Sequence, residues 1–233
     1  MPEAPTYNAY LEVDQRGRWL ASILDLAGCY ADGASEPEAL GALKVALPAY
    51  FAWLRGHDDY TPEVHGPWQV VPCETFRTSM LGDHQVHAFF TLDAQPVDDE
   101  ELDWALALLQ WAHEDLVALV RSVPPSLLEQ RSAIDAWSAA DALRHLARTQ
   151  LWYVSLLDDP PGAPGVEPSG DDPIVRYQQA HGVSMRRLRA ASDQQRTAIH
   201  EHAGERWSLR KVLRRSVWHV RDHTTQIERI MRG

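Results

Sequence analysis

The sequence predicts an α+β module followed by an all-α four-helix bundle. The apolar pattern changes near residue 95 from short alternating runs to the period of helices. The charge balance also changes, because residues 1–120 hold 20 acidic and 5 basic side chains, whereas residues 121–233 hold 13 and 17. A chain of 233 residues that is 45% hydrophobic suffices for two cores. We therefore predict one domain over 1–95 and a second over 98–233.

The first module begins with a hairpin and a helix. Strand-forming residues at 6–13 and 19–26 flank a turn that contains glycine. Ser35, with Glu38 three residues later, is typical of a capped helix start. Apolar residues every three or four positions then predict a helix over about 36–54 with one buried face.

Two further strands complete this module. Apolar and polar residues alternate over 68–76 and again over 86–92. The predicted order is therefore β-β-α-β-β.

Helical periodicity fills the rest of the chain, and no strand is predicted there. Four helices are expected, at about 98–122, 138–157, 172–199 and 208–231. Ser138 and Ser208 occupy N-cap positions. Pro124 and Pro125 end the first helix, and a Pro- and Gly-rich loop over 158–170 separates the second from the third. Four amphipathic segments of this length predict a helix bundle.

Two histidines on the last helix indicate a metal site. His219 and His223 lie four residues apart on the apolar stripe that must face inward. Adjacent buried imidazoles need partners, and one divalent ion would satisfy both. The alternative is that these are core or surface histidines hydrogen-bonded to carbonyl groups.

The second helix of the bundle offers a third ligand. His145 lies on an otherwise largely apolar stripe, and three protein nitrogens with an open position are typical of catalytic zinc sites. His181 lies on the apolar stripe of the third helix. It is interpreted as a fourth ligand, as a residue supporting the ligands, or as a simply buried histidine, and the last reading is favoured.

These motifs carry a resemblance to a known family. The matching segments are Ala136-Trp137-Ser138, Leu143-Arg144-His145-Leu146 and Trp218-His219-Val220-Arg221-Asp222-His223. They resemble the DinB-like superfamily of four-helix bundles. The resemblance implies a divalent metal held by His145, His219 and His223, with zinc or nickel favoured over iron or manganese. It also implies a bacillithiol- or mycothiol-dependent transferase or a related hydrolase.

Three other side chains near these histidines are candidates for substrate or cofactor binding. Arg215 lies one turn before His219, and Arg148 lies about one turn after His145; both would hold carboxylates of a low-molecular-weight thiol. The alternative is a pair of surface arginines. Trp152 is a candidate to line the pocket, although an aromatic residue at helical spacing is more often part of the core.

The first module resembles a second family. The segments Tyr10-Leu11-Glu12-Val13-Asp14 and Ser35-Glu36-Pro37-Glu38-Ala39-Leu40 resemble HicB-like antitoxin domains. That resemblance implies a partial ribonuclease-H-like fold and a small toxin protein as partner, and the acidic charge of residues 1–120 favours a basic partner. It gives the alternative function, a non-catalytic regulatory protein whose metal site is structural or vestigial.

Composition limits the remaining partners. The net charge of −11 opposes non-specific binding to nucleic acid, and no apolar run is long enough to span a bilayer. The first residues do not form a secretory signal, so a cytoplasmic protein with reduced Cys29 and Cys73 is expected. A small-molecule substrate is the expected partner. A homodimer is expected from the family resemblance.

Overall fold

The computed structural model describes residues 4–58, 68–81, 84–131, 136–158 and 170–232. The chain forms two compact units, Met1–Ala94 with Ala203–Arg206, and Gln95–His202 with Trp207–Gly233. The first unit is a β-sheet with one long helix, and the second is a helical bundle. This confirms the predicted fold class.

The sheet of the first unit has four strands in the order β3-β2-β1-β4. Their bounds are Thr6–Val13 (β1), Trp19–Ile23 (β2), Cys29–Gly33 (β3) and Gln69–Arg77 (β4). The strand β1 pairs antiparallel with β2 and parallel with β4. The β1–β2 turn forms because the Asp14 carboxylate accepts hydrogen bonds from the backbone N–H groups of Arg16 and Arg18, both at 2.8 Å.

The strand β3 is absent from the predicted order. It pairs antiparallel with the whole of β2, and β2 ends at Ile23 rather than continuing to residue 26. A turn follows, in which Leu26 N–H donates to the Ile23 carbonyl and Gly28 adopts a φ of +86°. The sequence of β3 has little apolar alternation, so its pairing depends on the neighbouring strand rather than on a local pattern.

The helix α1, Glu36–Arg55, confirms the predicted helix over 36–54. The Ser35 hydroxyl accepts from the Glu38 N–H, and the Glu38 carboxylate accepts from the Ala34 N–H at 2.9 Å. A Cβ on Gly33 would lie 2.3 Å from the backbone nitrogen of Ala39, so the chain needs glycine where it enters the helix.

The last part of the first unit differs from the predicted strand over 86–92. Ser79–Leu81 (β5) and His84–Val86 (β6) form a small antiparallel pair, and Thr91–Ala94 is a 3-10 helix. Ala88 and Phe90 are buried, and the Phe90 N–H donates to the buried Asp93 carboxylate at 2.9 Å. The segment is therefore buried as irregular backbone whose N–H group is satisfied by a side chain. The alternation of apolar and polar residues does not distinguish this arrangement from a strand.

The second unit contains four long helices among its described residues. They are Asp99–Arg121 (α2), Ala139–Ser155 (α4), Pro173–Arg189 (α5) and Leu209–Arg232 (α7). A short helix, Pro125–Leu128 (α3), follows the predicted proline break. Asp98 with Glu101 and Ser138 with Asp141 form reciprocal caps at the starts of α2 and α4. Three of the four predicted helices agree with the structure within a few residues.

The third predicted helix, 172–199, is too long. The helix α5 ends at Arg189, and a new capped helix, Asp193–Thr197 (α6), begins after Ser192. Ile199–His202 (β7) and Glu205–Ser208 (β8) then form a two-stranded sheet, although no strand was predicted in this half. Ala203 and Gly204 both have positive φ, as the tight turn between these strands requires.

Most of the predicted loop over 158–170 lies outside the described residues. Within the described ranges, no helix combines the length and the apolar character needed to cross a membrane.

Candidate metal centre

The three predicted ligands come together between α4 and α7. His219 and His223 lie one turn apart on the buried face of α7, with 6% and 8% of their surface exposed. His145 is half-buried on α4, in the second turn after the Ser138 cap. The capped start of α4 and the apolar stripe of α7 therefore fix the two elements that carry these rings.

The ring nitrogens converge on one point. The Nε2 atom of His219 lies 3.0 Å from the Nε2 atoms of both His145 and His223. Ligand atoms of all three residues lie within 4.8 Å of one another. Tetrahedral coordination with metal–nitrogen bonds of about 2.0–2.1 Å would separate two ligands by about 3.3 Å, close to the observed spacing.

Hydrogen bonding alone does not satisfy this arrangement. An imidazole nitrogen carries either one proton or one lone pair, so His219 Nε2 can bond well to only one of its two neighbours. A divalent cation can accept a lone pair from each ring at once. The donor set therefore fits a bound metal ion, and nitrogen ligands of this type suit zinc, nickel and iron.

Gln226 supports the ligand set from the same helix. His223 Nδ1 donates a hydrogen bond to Gln226 Oε1 at 2.6 Å. A proton on Nδ1 leaves the lone pair on Nε2, which is the nitrogen that faces the other two histidines. Gln226 was not predicted to be a site residue. Its position three residues after His223 places it on the same helix face, but the histidine motif includes only the metal ligands.

Replacing Gln226 with leucine is expected to weaken metal binding by about 10- to 100-fold, because the tautomer of His223 and the orientation of its ring are no longer fixed. Titration against a chromophoric chelator measures this change. Gln226→Glu is the matched control, since its carboxylate can still accept from Nδ1 and should retain most of the affinity. Equal affinities for wild type and Gln226→Leu would contradict the supporting role.

The protonation state of His145 also suits metal binding. Burial lowers its pKa to about 4, and the charges of His223 and Arg148 act in the same direction. His145 is therefore neutral at pH 7, which is the form that donates a lone pair. Its Nε2 atom also lies 3.4 Å from the hydroxyl of Thr149.

Aromatic rings surround the three histidines. The indole of Trp137 lies parallel to the His223 ring at 5.9 Å between centroids and edge-on to the His145 ring at 5.0 Å. Tyr153 lies 5.9 Å from His219. Trp137 was part of the family motif but was not predicted to be a site residue. Trp137 lies just before the Ser138 cap, eight residues from His145. It is outside the helix, so helical periodicity does not predict which side chains it contacts.

The two predicted anion-binding arginines differ in environment. Arg215 is buried, and its guanidinium lies 4.3 Å from the centre of the Trp218 ring. The surface alternative therefore does not apply to Arg215, which lies one turn before His219. Arg148 is exposed, although its charge acts on His145. Anion binding by either side chain stays a prediction.

Trp152 and His181 lie in other surroundings. Trp152 packs edge-to-face against the buried Trp207 at 5.3 Å, so it belongs to an aromatic cluster. His181 is buried, stacks on His113 and is not part of the three-histidine group. Among its three interpretations, the structure agrees with a simply buried histidine.

Comparison with known proteins places the matching region over this site. Residues 108–227 match the DinB superfamily. Among solved structures, the chain is similar to YfiT from Bacillus subtilis, described as a probable metal-dependent hydrolase with an unusual four-helix bundle topology. The identity is 20%, the match covers 59% of this chain and 90% of that chain, and the TM-score is 0.47. No curated protein matches the sequence.

Proposed function

Because the chain belongs to the DinB superfamily, we propose that its bundle is a metal-dependent enzyme in which His145, His219 and His223 hold one divalent ion. The observation that carries this proposal is the convergence of three Nε2 atoms, with two separations of 3.0 Å. Three protein ligands leave a coordination position for a reacting molecule, as in catalytic sites. Zinc or nickel is the proposed metal, with iron and manganese as alternatives.

The proposed reaction is transfer of a low-molecular-weight thiol, such as bacillithiol or mycothiol, to a small electrophile; hydrolysis by water is the related alternative. A bound divalent ion supplies Lewis acidity that makes a thiol or a water nucleophilic near neutral pH. Transfer forms a bond between the thiol sulfur and the electrophilic carbon and breaks the bond between that carbon and the leaving group, which departs with the electron pair, while the thiol proton passes to solvent.

Residues of the chain position the reactants. His145 is neutral at pH 7 because burial lowers its pKa to about 4, and Gln226 orients His223. Arg215 is a buried cation one turn before His219, a suitable position to hold a carboxylate of the thiol. Arg148 and Trp152 on α4 are the proposed outer contacts of the substrate.

A substrate screen tests the reaction. Metal-loaded protein is mixed with bacillithiol, mycothiol, glutathione or coenzyme A and a panel of electrophiles, and loss of thiol is followed. A parallel set of esters and amides without thiol tests hydrolysis. Turnover by the wild type in either set, together with loss of that turnover in His145→Ala, would support an enzyme. The absence of turnover in both sets with fully metal-loaded protein would contradict it.

The first unit carries a separate proposal, which its acidic charge supports. Residues 1–94 hold 13 acidic and 5 basic side chains, a net charge of −8, which favours a basic protein partner over nucleic acid. The HicB-like resemblance stays a prediction, as does the homodimer. If a neighbouring gene encodes a small basic protein, co-purification of that protein with the full chain tests the docking role. Sedimentation of the purified chain tests the dimer.

A further inference from the structure

A second group of polar side chains is buried in the bundle and shares no residue with the three-histidine site. His113 on α2, Gln150 on α4, and Tyr177, His181 and Ser184 on α5 belong to it. Their exposed fractions are 8%, 2%, 0%, 4% and 2%. Each is therefore more than nine-tenths buried, an environment in which a polar group needs a hydrogen-bond partner.

The aromatic members of this group are in contact. The rings of His113 and His181 are stacked with 3.8 Å between centroids and 9° between planes. The Tyr177 ring lies 5.1 Å from His113. The side chain of Gln150 interacts with the Tyr177 hydroxyl, and this contact opposes part of the rise in the pKa of Tyr177 that burial causes. Residues of three helices thus meet in one place.

The hydrogen bonds around Gln110 define the tautomer of His181. The Gln110 amide nitrogen donates to the Glu114 carboxylate at 2.8 Å, so its Oε1 atom must face the other way. That oxygen lies 3.1 Å from His181 Nε2, which therefore carries the ring proton. His181 Nδ1 consequently has a buried lone pair that requires a donor.

Several atoms of the group have no hydrogen-bond partner among the described residues. They are His113 Nδ1, His181 Nδ1 and the Ser184 hydroxyl; the Tyr177 hydroxyl and the Gln150 carboxamide have no partner besides each other. A buried polar group left unpaired destabilises the folded state, so a cluster of this size would be strongly unfavourable if left unfilled. Native proteins satisfy such clusters with a bound molecule, most often ordered water.

The charge state of the group limits what it can bind. Burial lowers the pKa of His113 to about 4 and that of His181 to about 3, and it raises the pKa of Tyr177. All members are therefore uncharged at pH 7. A charged ligand would have no opposite charge within the group, whereas a neutral molecule could use both its donors and its acceptors.

We propose that His113, Gln150, Tyr177 and His181 form an internal binding site for a small uncharged molecule that both donates and accepts hydrogen bonds. Two sources share this chemistry: ordered water molecules, and the hydroxyl or amide part of a neutral metabolite. In either case the molecule donates to His181 Nδ1 and bridges the helices α2, α4 and α5.

Removal of the Tyr177 hydroxyl tests whether the site is filled. Tyr177→Phe is expected to lower the melting temperature by about 3 °C, because the bound molecule and the Gln150 carboxamide both lose a partner. Tyr50→Phe is the matched control, since the Tyr50 hydroxyl is buried and donates to the Ala27 carbonyl at 3.0 Å. It should show a loss of similar size. A melting temperature that is unchanged or raised in Tyr177→Phe alone would overturn the proposal.

A high-resolution crystal structure of the full chain provides the second test. Discrete spherical density bonded to His181 Nδ1 and the Tyr177 hydroxyl would identify water. Extended density, together with a small neutral compound released on denaturation and detected by mass spectrometry, would identify a metabolite. Absence of density within hydrogen-bond distance of these atoms would overturn the proposal, even if Tyr177→Phe lowers the melting temperature.

Discussion

Replacing His219 with alanine is expected to abolish metal binding while the bundle stays folded. His219 is the central ligand, because its Nε2 lies 3.0 Å from both His145 Nε2 and His223 Nε2. Its loss leaves two imidazoles on different helices, which is too few for a stable site of the predicted type. Elemental analysis after dialysis is expected to find about one divalent ion per wild-type chain and almost none in the variant.

The fold should survive because the bundle has a core of its own. Leu108, Leu143, Tyr177 and Val217 are each fully buried, and they come from four different helices. Circular dichroism of metal-free wild type and His219→Ala should therefore agree. Unfolding of the variant at room temperature would instead indicate a structural metal and would contradict a catalytic site.

Metal-dependent stability provides a second readout. A ligand at 1,000 times its dissociation constant stabilises the folded state by about 4 kcal/mol, so adding metal should raise the melting temperature of wild type. His219→Ala should not respond. His202→Ala is the matched control, because His202 lies on β7 outside the three-histidine group and should keep the full response. An equal response in His219→Ala would contradict the assigned ligand set.

Sequence patterns predicted the parts of the fold that local physics determines. The predicted caps Ser35 and Ser138 mark helix starts, and each accepts a hydrogen bond from the backbone N–H three residues later. The stripe that carries His219 and His223 is likewise a property of one helix. The third ligand, His145, required the additional expectation that α4 and α7 pack together, which the four-helix pattern supplied.

Features that depend on distant partners were missed. The strand β3 pairs along β2, and the segment around Phe90 is held by the Asp93 side chain rather than by a ladder. The helix α5 ends at Arg189, and Ser192 caps the start of α6. The helical period of the sequence continues through this break, so it did not indicate two helices. The stacking of His113 on His181 joins residues 68 positions apart, and no local pattern marks such a pair.

The buried histidine pair predicts a strong dependence of stability on acid. The pKa values of His113 and His181 in the folded chain are about 4 and about 3, against 6.5 for an ordinary histidine. The unfolded chain therefore binds protons below pH 6.5 that the folded chain does not. The contribution to stability is complete above that pH and is lost progressively as the pH falls toward the folded values.

The size of the effect follows from the linkage relation. Each histidine that stays neutral in the folded state lowers the free energy of unfolding by about 1.4 kcal/mol per pH unit below 6.5. Between pH 7 and pH 5 this amounts to about 2 kcal/mol. His181, with 4% of its surface exposed, should approach this value. His113 should contribute less, because its remaining solvent contact screens part of the charge. Together the two histidines should lower the free energy of unfolding by about 3–4 kcal/mol between pH 7 and pH 5.

Urea unfolding of metal-free protein between pH 7 and pH 5 measures this dependence. His181→Gln keeps an amide that can donate to Gln110 but binds no proton, so its stability should fall by about 2 kcal/mol less than that of wild type over this range. Tyr177→Phe is the control, because it alters the same cluster without changing proton uptake and should shift the curve without changing its slope. Parallel curves for wild type and His181→Gln would mean that His181 is protonated in the folded chain. In that case the uncharged character that the internal site requires would be wrong as well.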